Sequence, residues 1–165
     1  RPVHVGELVE TGKHIGVVEH VDLRTTELRN LQGIQVVVPN KDVFQTVLLN
    51  YARNGSRRVD LYVGISYGDD LEKVERVTIE AVKGIGVLLP DKEVELFYTA
   101  FGESSINYDI RFWITADSNA HYMDMRSRAI KAIKAAYNKE GVSIPFPIRT
   151  LDFGVKGGEK LDAML

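Results

Sequence analysis

The chain contains no cysteine, which removes disulfide frameworks, thiolate metal centres and cysteine nucleophiles at once. It also lacks charge of one sign: 21 basic against 23 acidic side chains leave a formal net charge of -2. The dense positive field that generic nucleic-acid binding requires therefore does not arise. Apolar runs are short. Val36-Val37-Val38 and Ile85 to Pro90 fall far below the roughly 20 residues of a membrane-spanning helix. No signal peptide is visible, and the chain opens on Arg1-Pro2-Val3 rather than methionine, so it reads as a piece of a longer polypeptide.

Catalytic signatures are absent too. There is no Gly-x-Ser-x-Gly, and neither Gly84-x-Gly86 nor Gly154 to Gly158 has the full strand–glycine loop–helix context or the following Lys-Ser/Thr that a phosphate loop needs. His4, His14, His20 and His121 form no pair at metal-ligand spacing and read as structural or solvated. Asp69-Asp70 reads as a helix start, not an acid/base pair. No catalytic residue, cofactor or metal is expected, and no enzyme.

What is present is a foldable composition, 44% hydrophobic and 27% charged over 165 residues, enough for one good core or two small ones. In the first third, β-branched segments at Gly16 to Val21, Leu23 to Arg29 and Val36 to Val38 alternate with turns at Thr11-Gly12 and Gln32-Gly33. Short strands at this spacing predict a small barrel. Pro39 closes its strand, Asn40 is placed to cap a turn over Lys41 to Phe44, and Val47 to Tyr51 supplies a last strand. The polar stretch Arg53-Asn54-Gly55-Ser56-Arg57 marks the module boundary.

From Arg58 the chain alternates cleanly, with Val59, Leu61, Val63 and Ile65 on one face of a half-buried strand. Asp69 stands three residues before Glu72, a capping-box spacing, and Leu71, Val74, Val77, Ala81 and Val82 recur at helical period until Lys83-Gly84. Val94 to Ala100 and Ser105 to Ile114 form a hairpin around Gly102. Ser118 or Asn119 caps a second helix striped by Tyr122, Met125, Ala129, Ile133, Ala136 and Tyr137, and Gly141 ends it. A final strand is expected over Ile148 to Phe153. This α+β order, βαββαβ, is ferredoxin-like, with both helices on one face.

Both architectures also serve RNA binding, but the face carrying Asp109, Arg111 and Trp113 lacks the glycine of an RNA platform. Arg53, Arg57 and Arg58 are the strongest charge feature. They read either as a solvated linker paired with carboxylates or as cations lining an opening for solutes.

Leu23-Arg24-Thr25-Thr26-Glu27-Leu28-Arg29, Gln32-Gly33, Val36-Val37-Val38-Pro39-Asn40 and Asn50-Tyr51 together resemble the Sm-like β domain of small-conductance mechanosensitive channels. Arg57 to Leu61, Val63 to Tyr67, Gly102 to Asn107 and Gly141-Val142-Ser143-Ile144-Pro145-Phe146-Pro147 resemble their α/β domain. The likeness runs to about Asp152. Gln32-Gly33 departs from the family's Asp-Gly and predicts a longer turn.

The resemblance implies an Sm-like barrel over residues 1–56, a ferredoxin-like domain over 57–153 and a tail over 154–165, where the family carries an assembly strand. It further implies a homoheptamer with a hollow cytosolic vestibule and side portals, pore helices upstream in the inner membrane, and passage of ions and small osmolytes under tension. Within it Pro39, Asn40, Pro145 and Pro147 are structural motif residues, and Arg53, Arg57 and Arg58 are candidates for lining portals. The rival reading is a soluble module for RNA or a small regulatory ligand.

Overall fold

Two antiparallel sheets follow one another along the chain, each closed over its own apolar cluster. The computed structural model describes residues 3–86 and 88–149.

The first sheet comprises β1 (Leu8–Thr11), β2 (His14–Val21), β3 (Thr25–Asn30), β4 (Gln35–Pro39) and β5 (Leu48–Asn50), in the order β4-β3-β2-β1-β5, with α1 (Asn40–Gln45) between the last two in sequence. Val3, Val9, Val18, Leu28, Val38 and Val43 fill its interior. Its curvature has visible causes. The β2–β3 register shifts between Val18 and His20, and a bulge of this kind bends and twists the bulged strand. At Gly16 a Cβ would sit 2.6 Å from the Arg29 carbonyl oxygen, so only glycine lets β3 come this close.

The turn between β3 and β4 is a long one, Leu31 to Ile34, as Gln-Gly predicted. Asn30 organises it, its Oδ1 accepting from the backbone N–H of Gln32 at 3.0 Å and of Ile34 at 2.8 Å. Two expectations need correction. Asn40 does not cap α1: it is the first helical residue, Pro39 holds the cap position, and no side chain caps this helix. The Asn40 amide instead accepts from Thr26 Oγ1 at 2.8 Å and donates to the Asp22 carbonyl at 2.9 Å, tying α1 to β3 and to the bend before it. The strand expected from Leu23 begins at Thr25, because Asp22 N–H bonds Thr25 O across a tight bend.

The second sheet holds β6 (Ser56–Ile65), β7 (Glu95–Phe101) and β8 (Ile106–Thr115), in the order β6-β8-β7, with α2 (Leu71–Lys83) and α3 (Asn119–Glu140) on one face. β8 alternates without a fault, burying Ile106, Tyr108, Ile110, Phe112 and Ile114. Against them pack Val74, Val77 and Val82 of α2 and Met125, Ala129 and Ile133 of α3. Full burial of each large apolar side chain contributes about 1.5 to 3 kcal/mol, so this larger cluster carries more of the hydrophobic stabilisation.

Asp70, not Asp69, caps α2, accepting from the N–H of Glu72 at 3.0 Å and of Lys73 at 3.2 Å. Asp69 turns away to accept from Ser143 N–H at 3.0 Å, a tertiary partner that local spacing could not reveal. Ser118 caps α3. Gly141, at φ 73°, ends it in the left-handed conformation that glycine adopts without steric cost. Of the expected final strand, Ile148 and Arg149 lie outside any strand, and Thr150 to Phe153 fall outside the described residues, as does the tail over 154–165.

Within the second core, Thr78 Oγ1, Tyr137 Oη and Tyr108 Oη form a chain of hydrogen bonds at 2.6 Å each, and Thr78 also donates to Val74 O. All three side chains are fully buried. Burial holds both phenols above their usual pKa, so they stay neutral donors and join β8, α2 and α3 by polar contacts as well as apolar ones. Tyr137→Phe strands the Tyr108 hydroxyl. It is expected to lower unfolding free energy in urea by about 1 to 3 kcal/mol without altering the far-UV spectrum.

Candidate functional site

The described residues contain no group of three His, Asp or Glu side chains arranged to hold a metal ion. A cavity of about 210 Å³ at one end of the barrel, lined by Val3, Val21, Leu23, Val43 and Phe44 among others, is smaller than the roughly 300 Å³ at which ligand pockets begin. The richest convergence of charged and aromatic groups is instead the junction of the two modules.

Three elements build it: the start of β1, the turn after β5 and the beginning of β6. Glu7 organises its barrel side, with a mostly buried side chain. Its carboxylate accepts from the backbone N–H of His4 at 2.8 Å, from Asn50 Nδ2 at 2.8 Å and from Arg53 through Nε and Nη2 at 3.0 to 3.1 Å. Burial alone pushes the Glu7 carboxyl up; His4, Asn50 and Arg53 outweigh it and bring the pKa down to about 2. Arg53 also reaches His4 Nδ1 at 2.8 Å. Tyr51 donates to Glu10, and this acceptor raises the pKa of the phenol.

Arg57 crosses between modules. Its guanidinium lies 4.7 Å from the Tyr51 ring centroid of the barrel and 3.8 Å from that of Tyr122 on α3, both within cation–π range. Ala116 N–H, just past β8, closes the junction by donating to Gly55 O at 3.1 Å. Arg58 points elsewhere, forming a two-point contact with Asp60 at 2.7 and 2.9 Å. The three arginines are thus adjacent in sequence but serve three different partners, and only Arg53 and Arg57 share the junction.

Pro39 ends β4 and meets Thr25 in the sheet register. Pro145 and Pro147 lie beyond α3 in an extended segment, Pro145 half-buried and Pro147 exposed. That segment is fixed by Ser66 N–H to Ser143 O at 3.0 Å and by Ile148 N–H to Ser104 Oγ at 3.1 Å. Glu7, its bond to the motif residue Asn50 and the stacking role of Tyr122 were not legible in the sequence: Glu7 and Arg53 are 46 residues apart, and Tyr122 had the spacing of an ordinary core residue.

Two families match in the same order as the modules: "Mechanosensitive ion channel, beta-domain" over residues 1–53 and "Mechanosensitive ion channel MscS, C-terminal" over residues 59–144. The chain belongs to the MscS family. An MscS family protein of Archaeoglobus fulgidus is 32% identical over 93% of this chain and 53% of its own length. The small-conductance mechanosensitive channel of Edwardsiella ictaluri is 31% identical over 89% of this chain and 50% of its own. The crystal structure of Helicobacter pylori MscS in a closed state superposes with a TM-score of 0.84 at 28% identity, covering 95% of this chain and 60% of that one. Arabidopsis thaliana MSL1, at 20% identity and a TM-score of 0.73, shares the fold. The chain therefore spans about half the length of the curated relatives it matches, and its family and fold are those of ion channels.

Because Glu7 titrates lower in the folded chain than unfolded, its contribution is complete above about pH 4.5 and fades as pH falls toward about 2. Urea denaturation across that window is expected to show the loss, and Glu7→Gln to flatten it. Replacing Arg57 by Ala removes both stacking contacts and is expected to cost about 1 to 2 kcal/mol. Limited proteolysis is expected to report it as faster cleavage between residues 52 and 56.

Proposed function

We propose that this chain forms the cytosolic vestibule of a tension-gated channel that releases ions and small osmolytes on hypo-osmotic shock. The observation that carries the reading is the ordered pair of family matches across both modules, together with the 0.84 TM-score to a closed-state MscS over 95% of the chain. In this reading seven copies form a ring, the membrane is crossed by helices outside this segment, and the vestibule faces the cytoplasm beneath the inner membrane. No helix among the described residues is long and apolar enough to cross a bilayer; in this reading tension acts on other parts of the protein, and this segment supplies assembly and solute access.

The module junction is the natural edge of a side opening. Arg53 at this edge and Arg58, which turns to Asp60 on β6 beside it, are both about 41% exposed as side chains, each paired with a carboxylate. Their positive fields are therefore partly cancelled at short range, and what they present to a passing solute is a dipole with a cationic rim. Fixing the two modules through Arg57 holds the width of such an opening constant. The junction residues act by shape and charge, with no bond-making step.

The test is expression of the full-length protein in cells stripped of mechanosensitive channels. Survival of hypo-osmotic downshift, tension-activated currents in excised patches and a heptameric native mass are expected. A stable monomer that binds RNA at nanomolar affinity would overturn the reading in favour of a nucleic-acid module.

A further inference from the structure

We propose that the outward flanks of α2 and α3 are the two complementary halves of a head-to-tail contact between copies of this chain. The proposal rests on the multi-subunit reading above and specifies which surfaces meet.

The two helices occupy opposite sides of the second module. α2 lies toward the β7 edge, where Tyr98 Oη donates to Leu71 O at 2.6 Å. α3 lies toward β6, where Tyr122 stacks under Arg57. They run antiparallel: Lys73 Nζ, at the start of α2, bonds the Glu140 carbonyl at the end of α3 at 2.6 Å. The helix row through Lys73 therefore faces α3, and the row through Glu72, Glu75 and Ile79 faces away from it. By the same spacing Met123, Arg126, Ile130 and Lys134 form the row of α3 that faces away from α2.

These two flanks differ in charge. A shallow groove along α2 is lined by Glu72, Glu75, Arg76, Ile79, Glu80 and Lys83, three carboxylates against two cations, with half-buried Ile79 within it. The outward row of α3 carries Arg126 and Lys134 and no carboxylate, whereas the outward row of α2 carries Glu72 and Glu75. The α3 row adds two exposed apolar side chains, Met123 at 54% and Ile130 at 52%. An isolated exposed apolar residue means little. Here Ile130 stands between Arg126 and Lys134, with Met123 one turn earlier on the same row, on the flank opposite an acidic groove containing an isoleucine.

A surface that is acidic on one side and basic on the opposite side does not pair face to face with itself, because like charges would meet. It pairs head to tail, and repetition of such a contact generates rings or open filaments. Complementary charge sets the register and partner choice, and the apolar residues exclude water from the centre.

The absence of cysteine makes the contact directly testable. Glu75→Cys and Lys134→Cys are introduced together in the full-length protein, which is then treated with a short bis-maleimide after its native mass is recorded. The expected result is a ladder of covalent oligomers from the double variant and none from either single variant. Ladder formation is expected to be about tenfold slower at 1 M salt than at 0.05 M, since screening shortens the reach of charge attraction. An oligomeric mass with no ladder, or with a ladder insensitive to salt, overturns this contact while leaving the channel reading standing. A monomeric mass overturns both.

Discussion

The unbroken alternation of β8 is the constraint on which the second module depends. As the central strand it pairs with β6 on one side and β7 on the other, so its position sets the register of both neighbours. Five buried side chains on one face, Ile106 to Ile114, form the floor on which α2 and α3 rest. A one-residue slip would exchange that floor for Asn107, Asp109, Arg111 and Trp113. The hydroxyl chain through Tyr108, Tyr137 and Thr78 adds direction to the apolar contact. Hydrogen bonds inside a dry core specify the relative placement of the helices, where hydrophobic burial alone tolerates sliding.

The barrel meets this module through electrostatics more than through burial. The core clusters of the two modules share no buried residue, and the junction is held by Arg57 between two aromatic rings and by the Ala116–Gly55 backbone bond. Two modules joined this way keep separate cores.

The charge distribution belongs to the same design. A net charge near zero hides an acidic groove along α2 and a basic row along α3 on opposite flanks. The chain-wide sum argues against the dense positive field of a generic nucleic-acid binder. It could not reveal the asymmetry, which exists only once the two helices lie antiparallel on one face of a sheet.

Much of this protein was legible before any coordinates. Hydrophobic periodicity alone marked β6, β8, α2 and α3, since burial on one face imposes a period of two on a strand and near 3.6 on a helix. The ordered motifs of both modules pointed to the mechanosensitive channel family. The misreadings share one cause. Asn40 and Asp69 have the composition of helix caps, but their side chains are claimed by Thr26 and Asp22 in one case and by Ser143 in the other. Glu7 showed no local pattern, and its low pKa comes from groups up to 46 residues away. Arg53, Arg57 and Arg58 appeared as one basic cluster and became three separate contacts. The sequence by itself determined which segments are strands and helices and which face of each is buried, because those are consequences of local period. Only the tertiary structure decided where each polar side chain finds its partner, because hydrogen bonds and ion pairs depend on distances across the fold that no local spacing encodes.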